Sequence, residues 1–419
     1  MTTGQEPGSG ARAGVVIAGA GLAGARTAVE LREQGWDGPV TLLGGENRRP
    51  YDRPPLSKEV MLGQAESSEL DIDYAALDIT LLQGRAATGL DPAARLLHTD
   101  GGPLRYRHLV LATGAEAVAL PGARGGTGAA SGTAPGVHVL RTLDDALALR
   151  EVLAARGRLV VVGAGWIGAE LTTAARAAGC PVTVVEASGQ VLAGALPAEV
   201  TAPMRRWYAE SGAALRTRAP VAAVRTGAVE LAGGQVLGAD AVLIGIGARP
   251  ATGWLAGSGV PLDPADGSVR ADATLRVPGV PDVWAAGDCA SYPSARYGRR
   301  MLVHHWDNAL HAPRTVAAGI LGRAERYDPV PYFWSDQFGR TVQYAGYHGD
   351  AGTPLWRGDP ESGAGWTVCW LREGRLTALL TVDRPRDAAQ GRRLIDRGTP
   401  LDPARAADPA VPLKSAALR

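Results

Sequence analysis

Cysteine is scarce in this 419-residue chain. Cys180, Cys289 and Cys369 stand far apart, which excludes a disulfide framework, a cysteine-ligated zinc site and a CxxC redox motif. An excess of charge is also missing. The 43 Lys+Arg face 42 Asp+Glu, and a net +1 marks neither a nucleic-acid nor a membrane partner. No apolar run approaches the roughly 18 residues of a membrane helix. Residues 1–13 are polar and Gly-rich without an apolar signal core, and read as a frayed tail. Lysine is almost absent: Lys58 and Lys414 are the whole complement. GC-rich codon usage accounts for such a bias, and it draws attention to a lysine that is kept. What is present, 46% apolar and 20% charged residues, is the balance of a cytoplasmic globular α/β protein of two to three domains.

The order of elements repeats. Val15-Val16-Ile17-Ala18 is a continuous apolar run, as a strand covered on both faces should be. Gly19-Ala20-Gly21-Leu22-Ala23-Gly24 then opens a helix through Leu31 that closes near Gly35, and Val40-Thr41-Leu42-Leu43 is the next strand. The plan returns at Leu159-Val160-Val161-Val162, with the turn Gly163-Ala164-Gly165-Trp166-Ile167-Gly168, a helix to about Ala178, and the strand Val182-Thr183-Val184-Val185. This is a duplicated mononucleotide-binding unit. Residues 122–136, rich in Gly, Ala and Ser, read as a linker or flexible surface loop between the copies. After Gly245 the chain returns to the first unit through a strand over 282–286. From Tyr327 the texture changes to alternating strands at 341–347, 366–371 and 376–382, followed by a helix over 387–397.

Each Gly-x-Gly-x-x-Gly follows a strand and opens a helix, the context that gives it a mechanism. The first glycine permits the tight turn, the second admits a pyrophosphate to the backbone, and the third lets helix pack on strand. The phosphates then rest on the free N–H groups of the helix N-terminus. A carboxylate should end each unit's second strand to accept an adenosine ribose. In the second unit it is Glu186, which repels a 2′-phosphate; no arginine follows until Arg205, so the reading is NADH over NADPH. In the first unit Glu46 is the nearby acid, either a ribose acceptor or a solvated loop glutamate.

The segment Tyr51-Asp52-Arg53-Pro54-Pro55-Leu56-Ser57-Lys58 is a proline-stiffened turn that presents two cations. It resembles the FAD-dependent, NADH-linked ferredoxin reductases, the oxygenase-coupled, putidaredoxin reductase-like branch of the glutathione-reductase-like flavoproteins. Ala112-Thr113-Gly114, Gly163 to Glu170, Trp284-Ala285-Ala286-Gly287-Asp288, Val303 to Ala309 and the run from Pro331 to Gln337 carry the same resemblance, which spans nearly all of the chain from Gly14. It implies two Rossmann-like domains and a C-terminal α+β domain: an FAD domain over 1–121 and 246–326, an NADH domain over 122–245, and an interface domain over 327–419.

The resemblance also implies roles. Gly19, Gly21 and Gly24 would hold FAD together with Glu46, Ala86, Thr113, Gly114 and Val303. Arg53 would pair with the FAD pyrophosphate, Asp288 would accept from a ribitol hydroxyl, and Trp306 would border the flavin. Gly163, Gly165, Ile167, Gly168, Glu186 and Gly247 would hold NADH. Lys58 and Glu170 carry the expected chemistry: a cation near flavin N5 helps electron density to arrive as hydride, and the glutamate neutralises it beside the nicotinamide. Read blandly, Gly287-Asp288 is a turn and Trp334, expected to shield the ring, is a core aromatic. The chain departs from the family at Gly45, where an acid is common, at Glu116-Ala117-Val118, where Arg-Pro-Arg is common, and at His304, where glutamate is usual.

With its earliest cysteine at Cys180, the chain lacks the early thiol pair of a disulfide reductase, and Cys289 reads as a small buried residue. His304, His305 and His311 form no familiar metal-ligand spacing, so no metal is expected. Two functions follow from the resemblance. One is transfer of electrons from NADH through FAD to an iron–sulfur ferredoxin that supplies a cytochrome P450 or dioxygenase. The alternative is a flavin-containing NADH-binding scaffold like apoptosis-inducing factor. Arg299, Arg300, Arg314, Arg384 and Arg386 are either a ferredoxin-docking surface or scattered solvated cations.

Overall fold

The computed structural model of the chain describes residues 13–120, 136–349 and 351–418. The expected tail before Ala13 and all but Gly136 of the expected loop at 122–136 lie outside the described residues. The chain divides into two compact units. The first comprises residues up to Asp52, Glu69–Glu116 and Arg249–Asp328; the second comprises Arg53–Ser68, Ala117–Ala248 and Pro329 onward.

In the first unit, Val15–Ala18 lies inside a parallel sheet, between Val40–Gly44 and His108–Leu111. Val283–Ala285 and Ile79–Gln83 form its two outer strands. The central strands are buried along their whole length, which explains their unbroken apolar runs. Their register decides where chemistry can collect. Ala18 pairs with both Leu43 and Leu111, and Leu111 with Ala285, so four strands end at one level. The helix Leu22–Glu33 buries Ala23, Ala25, Ala28 and Leu31, and the helix Trp306–Ile320 packs against it.

In the second unit, Leu159–Val162 has Val182–Val185 and Ala241–Ile244 as parallel neighbours, and Ala214–Arg216 and Val137–Val139 lie outside them. Val162 pairs with Val185 and Ile244, so these strands too end level. An antiparallel sheet follows in the order Tyr332–Gln337, Arg340–Gly346, Arg375–Val382, Trp366–Arg372 and Leu355–Arg357. The helix Pro385–Arg397 covers it and stops at Gly398, whose φ of 60° breaks the helical path. Fully buried Arg357 donates to Asp387 at 2.9 Å, which ties an outer strand to that helix. One core joins Met61, Leu171 and Trp207 to Val342, Trp366 and Trp370, so residues 53–68 and the C-terminal sheet share their interior with the second parallel sheet. No helix among the described residues is long and apolar enough to cross a membrane.

Candidate functional site

At the level end of the first sheet, Gly19 turns with φ 115°, and a methyl on it would overlap the Ala112 carbonyl. A methyl on Gly24 would overlap the Gly19 carbonyl, whereas one on Gly21 would meet nothing within 4 Å. The turn is therefore closed against sheet and helix and open above the helix N-terminus, a cradle that fits a pyrophosphate. Thr113 lies beside it and donates to the Ala251 carbonyl at 2.8 Å; Gly114 continues the loop with φ 71°. Gly287 packs on Ala23, which brings half-buried Asp288 to the start of the same helix. Glu46 accepts from the Tyr51 hydroxyl at 2.5 Å, and Ala86 stands against Gly45, where a side chain would just touch it. Val303 accepts from Asn308 at 2.9 Å, while Trp306 Nε1 donates to Asp52 at 2.8 Å.

The second unit repeats the cradle. Gly163 has φ 98°, a methyl on it would meet the Gly245 carbonyl, and one on Gly168 would overlap the Gly163 carbonyl. Ile167 and Ile246 are exposed apolar side chains beside the turn, and Gly247 follows with φ 119°. Glu186 Oε2 accepts from Ala164 N at 2.8 Å and Oε1 from Ser188 N at 2.8 Å, which fixes the carboxylate beside the turn. The basic side chains that sequence proximity does not supply are brought there by folding. Arg205 donates to the Gly189 carbonyl at 3.3 Å, and the Arg218 guanidinium lies against Gly189.

Between residues 53–68 and the helix Trp166–Ala177 sits an ion pair of half-buried Lys58 and buried Glu170. Pro54–Ser57 forms a single 3₁₀ turn, pre-set by its two prolines, and Lys58 leaves that turn with Nζ 3.1 Å from Glu170 Oε2. Glu170 is 6% exposed. Its Oε2 also accepts from Ser57, and its Oε1 accepts from Ser335 at 2.6 Å. Behind Ser335, Gln337 Nε2 donates to the serine hydroxyl at 3.1 Å. A buried carboxylate persists when its remaining hydrogen-bonding capacity is met in this way.

Of the expected residues, the structure gathers Gly19, Gly21, Gly24, Thr113, Gly114 and Asp288 at one sheet end. Gly163, Gly165, Gly168, Glu186 and Gly247 gather at the other, and Lys58 meets Glu170. Arg53 donates to the Arg141 carbonyl. Trp334 is half-buried and stacks on Tyr332, with ring centroids 6.3 Å apart. Glu116, where the resemblance leads one to expect Arg-Pro-Arg, pairs with Arg249 at 3.0 Å. Sequence reasoning assigned no role to Ser57, Ser335 or Gln337. The available signal was the spacing of Ser335 and Gln337, which puts two polar residues on the same strand face as Phe333.

Residues 13–312 match the pyridine nucleotide-disulphide oxidoreductase family, and residues 332–417 match the reductase C-terminal domain. Rhodocoxin reductase of Rhodococcus erythropolis is 36% identical over 97% of this chain and 94% of its own length. The ferredoxin–NAD(+) reductase component of the anthranilate 1,2-dioxygenase system of Burkholderia cepacia is 36% identical over 96% and 98%. The crystal structure of a covalent putidaredoxin reductase–putidaredoxin complex superposes with a TM-score of 0.90 at 33% identity, covering 97% of this chain and 98% of that one. With both glycine cradles formed and the similarity running over nearly its whole length, the chain belongs to the pyridine nucleotide-disulphide oxidoreductase family, with a reductase C-terminal domain after it.

Proposed function

We propose that the chain is an FAD-dependent reductase that takes electrons from NADH and delivers them to an iron–sulfur ferredoxin serving a cytochrome P450 or dioxygenase. The observation that carries this reading is the pair of glycine cradles, each closed to a methyl group by its own backbone and each beginning a helix. Two dinucleotides in one chain, with only buried free cysteines among the described residues, suit a flavin relay rather than thiol chemistry. Bound FAD supplies the conversion from two-electron hydride acceptance to one-electron release.

The chain's own residues divide the remaining work. The first cradle, with Thr113, Gly114, Asp288, Val303 and Trp306, binds and orients FAD, Glu46 and Ala86 border its adenosine end, and Arg53 neutralises its pyrophosphate. Gly163, Gly165, Gly168, Ile167 and Gly247 seat NADH, and Glu186 takes its ribose. Lys58 supplies positive charge where electron density arrives, and Glu170 balances that charge and orients the carboxamide of NADH. The domains follow the same division: FAD on residues 1–121 and 246–326, NADH on 122–245, and an interface region from 327. Cytoplasmic placement agrees with the three unpaired cysteines.

A visible spectrum tests the reading. The purified protein should show oxidised-flavin bands that NADH bleaches faster than NADPH does, and cytochrome c reduction should require added ferredoxin. A colourless protein that takes up no FAD overturns it, and slow bleaching with a long-lived charge-transfer band points to a scaffold instead. Lys58→Ala should slow flavin reduction by about tenfold or more while FAD stays bound.

A further inference from the structure

We infer that Ser335 is a positioning residue for Glu170, and that its hydroxyl, aimed by Gln337, holds the carboxylate in the rotamer that meets Lys58. The inference rests on the reading of Glu170 and Lys58 given above, and adds a contribution from the C-terminal sheet to it.

Proton accounting sets the direction of the chain of bonds. A serine hydroxyl has one proton to give. Gln337 Nε2 donates to Ser335 Oγ at 3.1 Å, which occupies an acceptor position on that oxygen. The serine proton is then directed to Glu170 Oε1, 2.6 Å away. On the other oxygen, Oε2 accepts from Ser57 and from Lys58 Nζ. Three donors therefore converge on one carboxylate, two from the adjacent Ser57 and Lys58 and the third from Ser335 far along the sequence. Ser335 is 1% exposed and Gln337 2%, so water cannot replace either side chain without local opening. The strand that carries them is pinned by antiparallel pairing of Ser335 with Val342, which fixes which face the hydroxyl occupies.

The consequence is specific. Without the Ser335 hydroxyl, Oε1 loses its donor inside a dry site, and the carboxylate is free to turn about its last side-chain bond. Lys58 then keeps its charge but loses a fixed counter-ion. A purely structural serine would affect stability and leave the chemistry of the site unchanged. A positioning serine acts on hydride transfer through Glu170 alone.

The test uses the full-length, FAD-loaded protein and stopped-flow reduction by NADH, with the limiting rate separated from the NADH dissociation constant. Ser335→Ala should lower the limiting rate by about tenfold, the effect of one lost hydrogen bond to a charged group. Ser335→Thr, which keeps the hydroxyl, should restore most of that rate. In a Glu170→Gln background Ser335→Ala should cost nothing further, because the group it acts through is gone. Infrared difference spectra give a readout independent of turnover: the carboxylate band that disappears in Glu170→Gln should shift in Ser335→Ala. Gln337→Leu should produce a smaller loss of the same kind, and carries the test if Ser335→Ala folds poorly. If Glu170→Gln itself reduces at the unaltered rate, the role given to Glu170 fails and this inference falls with it. If Glu170→Gln is slow while Ser335→Ala, or Gln337→Leu in its place, keeps both the rate and the band, positioning by Ser335 is overturned and the role of Glu170 stands.

Discussion

Trp306 Nε1 donates to Asp52 Oδ1 at 2.8 Å, joining residues 254 positions apart in sequence. The bond links the loop before the proline turn to the first residue of the helix Trp306–Ile320. Burial raises the Asp52 pKa, and the Trp306 bond pulls against that rise. A carboxyl whose folded pKa lies above its unfolded value of 3.8 stabilises fully below that value, and the stabilisation is lost as pH rises through the folded pKa. Asp52→Asn keeps the acceptor and removes the titration, so its melting temperature should exceed the parent's at pH 7 and converge with it near pH 4. Trp306→Phe should cost about 1 to 2 kcal/mol of stability at neutral pH. Thermal melts at several pH values check both.

The two cradles can be disabled separately. Gly24→Ala and Gly168→Ala each drive a methyl into a backbone carbonyl of their own turn. Each should cost about 1 to 3 kcal/mol through displaced backbone. Gly24→Ala should yield protein that retains little flavin. Gly168→Ala should remain yellow and bind NADH at least about tenfold more weakly, a shift of roughly 1.4 kcal/mol. Flavin content and NADH titration distinguish the two.

In the proposed reading Glu186 takes the NADH ribose and bars a 2′-phosphate, while Arg205 and Arg218 reach the adjoining Gly189. Removing the acid should leave a basic surface beside the ribose. Glu186→Ser should weaken NADH by about tenfold, the value of a charge-assisted hydrogen bond, and strengthen NADPH. Arg218→Ala on that background should reverse the NADPH gain. Equilibrium titration with both nucleotides measures each change.

Desolvation holds His305 down at about 4, with Asp288 opposing the shift and His304 adding to it. A histidine depressed from 6.5 in the folded state leaves the unfolded chain to bind the proton first. Stability should therefore fall as pH drops from about 6.5 to about 4, with this residue contributing on the order of 2 to 3 kcal/mol. Burial lowers His108, His138 and His348 in the same direction, so the parent's slope is a sum. His305→Asn should flatten it by one residue's share in denaturant titrations between pH 4 and 7.

Much of this molecule was legible before folding was considered, because the information is local. A strand buried on both faces must be a short apolar run, and Val15–Ala18 and Leu159–Val162 match those runs residue for residue. A pyrophosphate cradle needs glycines at fixed offsets before a helix, so both turns could be named from spacing. The proline segment and Lys58 stood out through rigidity and the rarity of lysine. Short strands such as Val137–Val139 and Ala214–Arg216 carry too few residues to signal themselves and form only because a sheet edge is offered to them.

Partnership was decided elsewhere. Nothing in the spacing of Ser57, Glu170 and Ser335 announces that three donors will meet one carboxylate, nor that Arg205 and Arg218 will arrive beside Gly189. Hydrogen bonds act over about 3 Å whatever the separation along the chain. Composition and periodicity describe how each segment prefers to run. Only the packed core, with its strand register and shared interior, determines which distant side chains come within that reach.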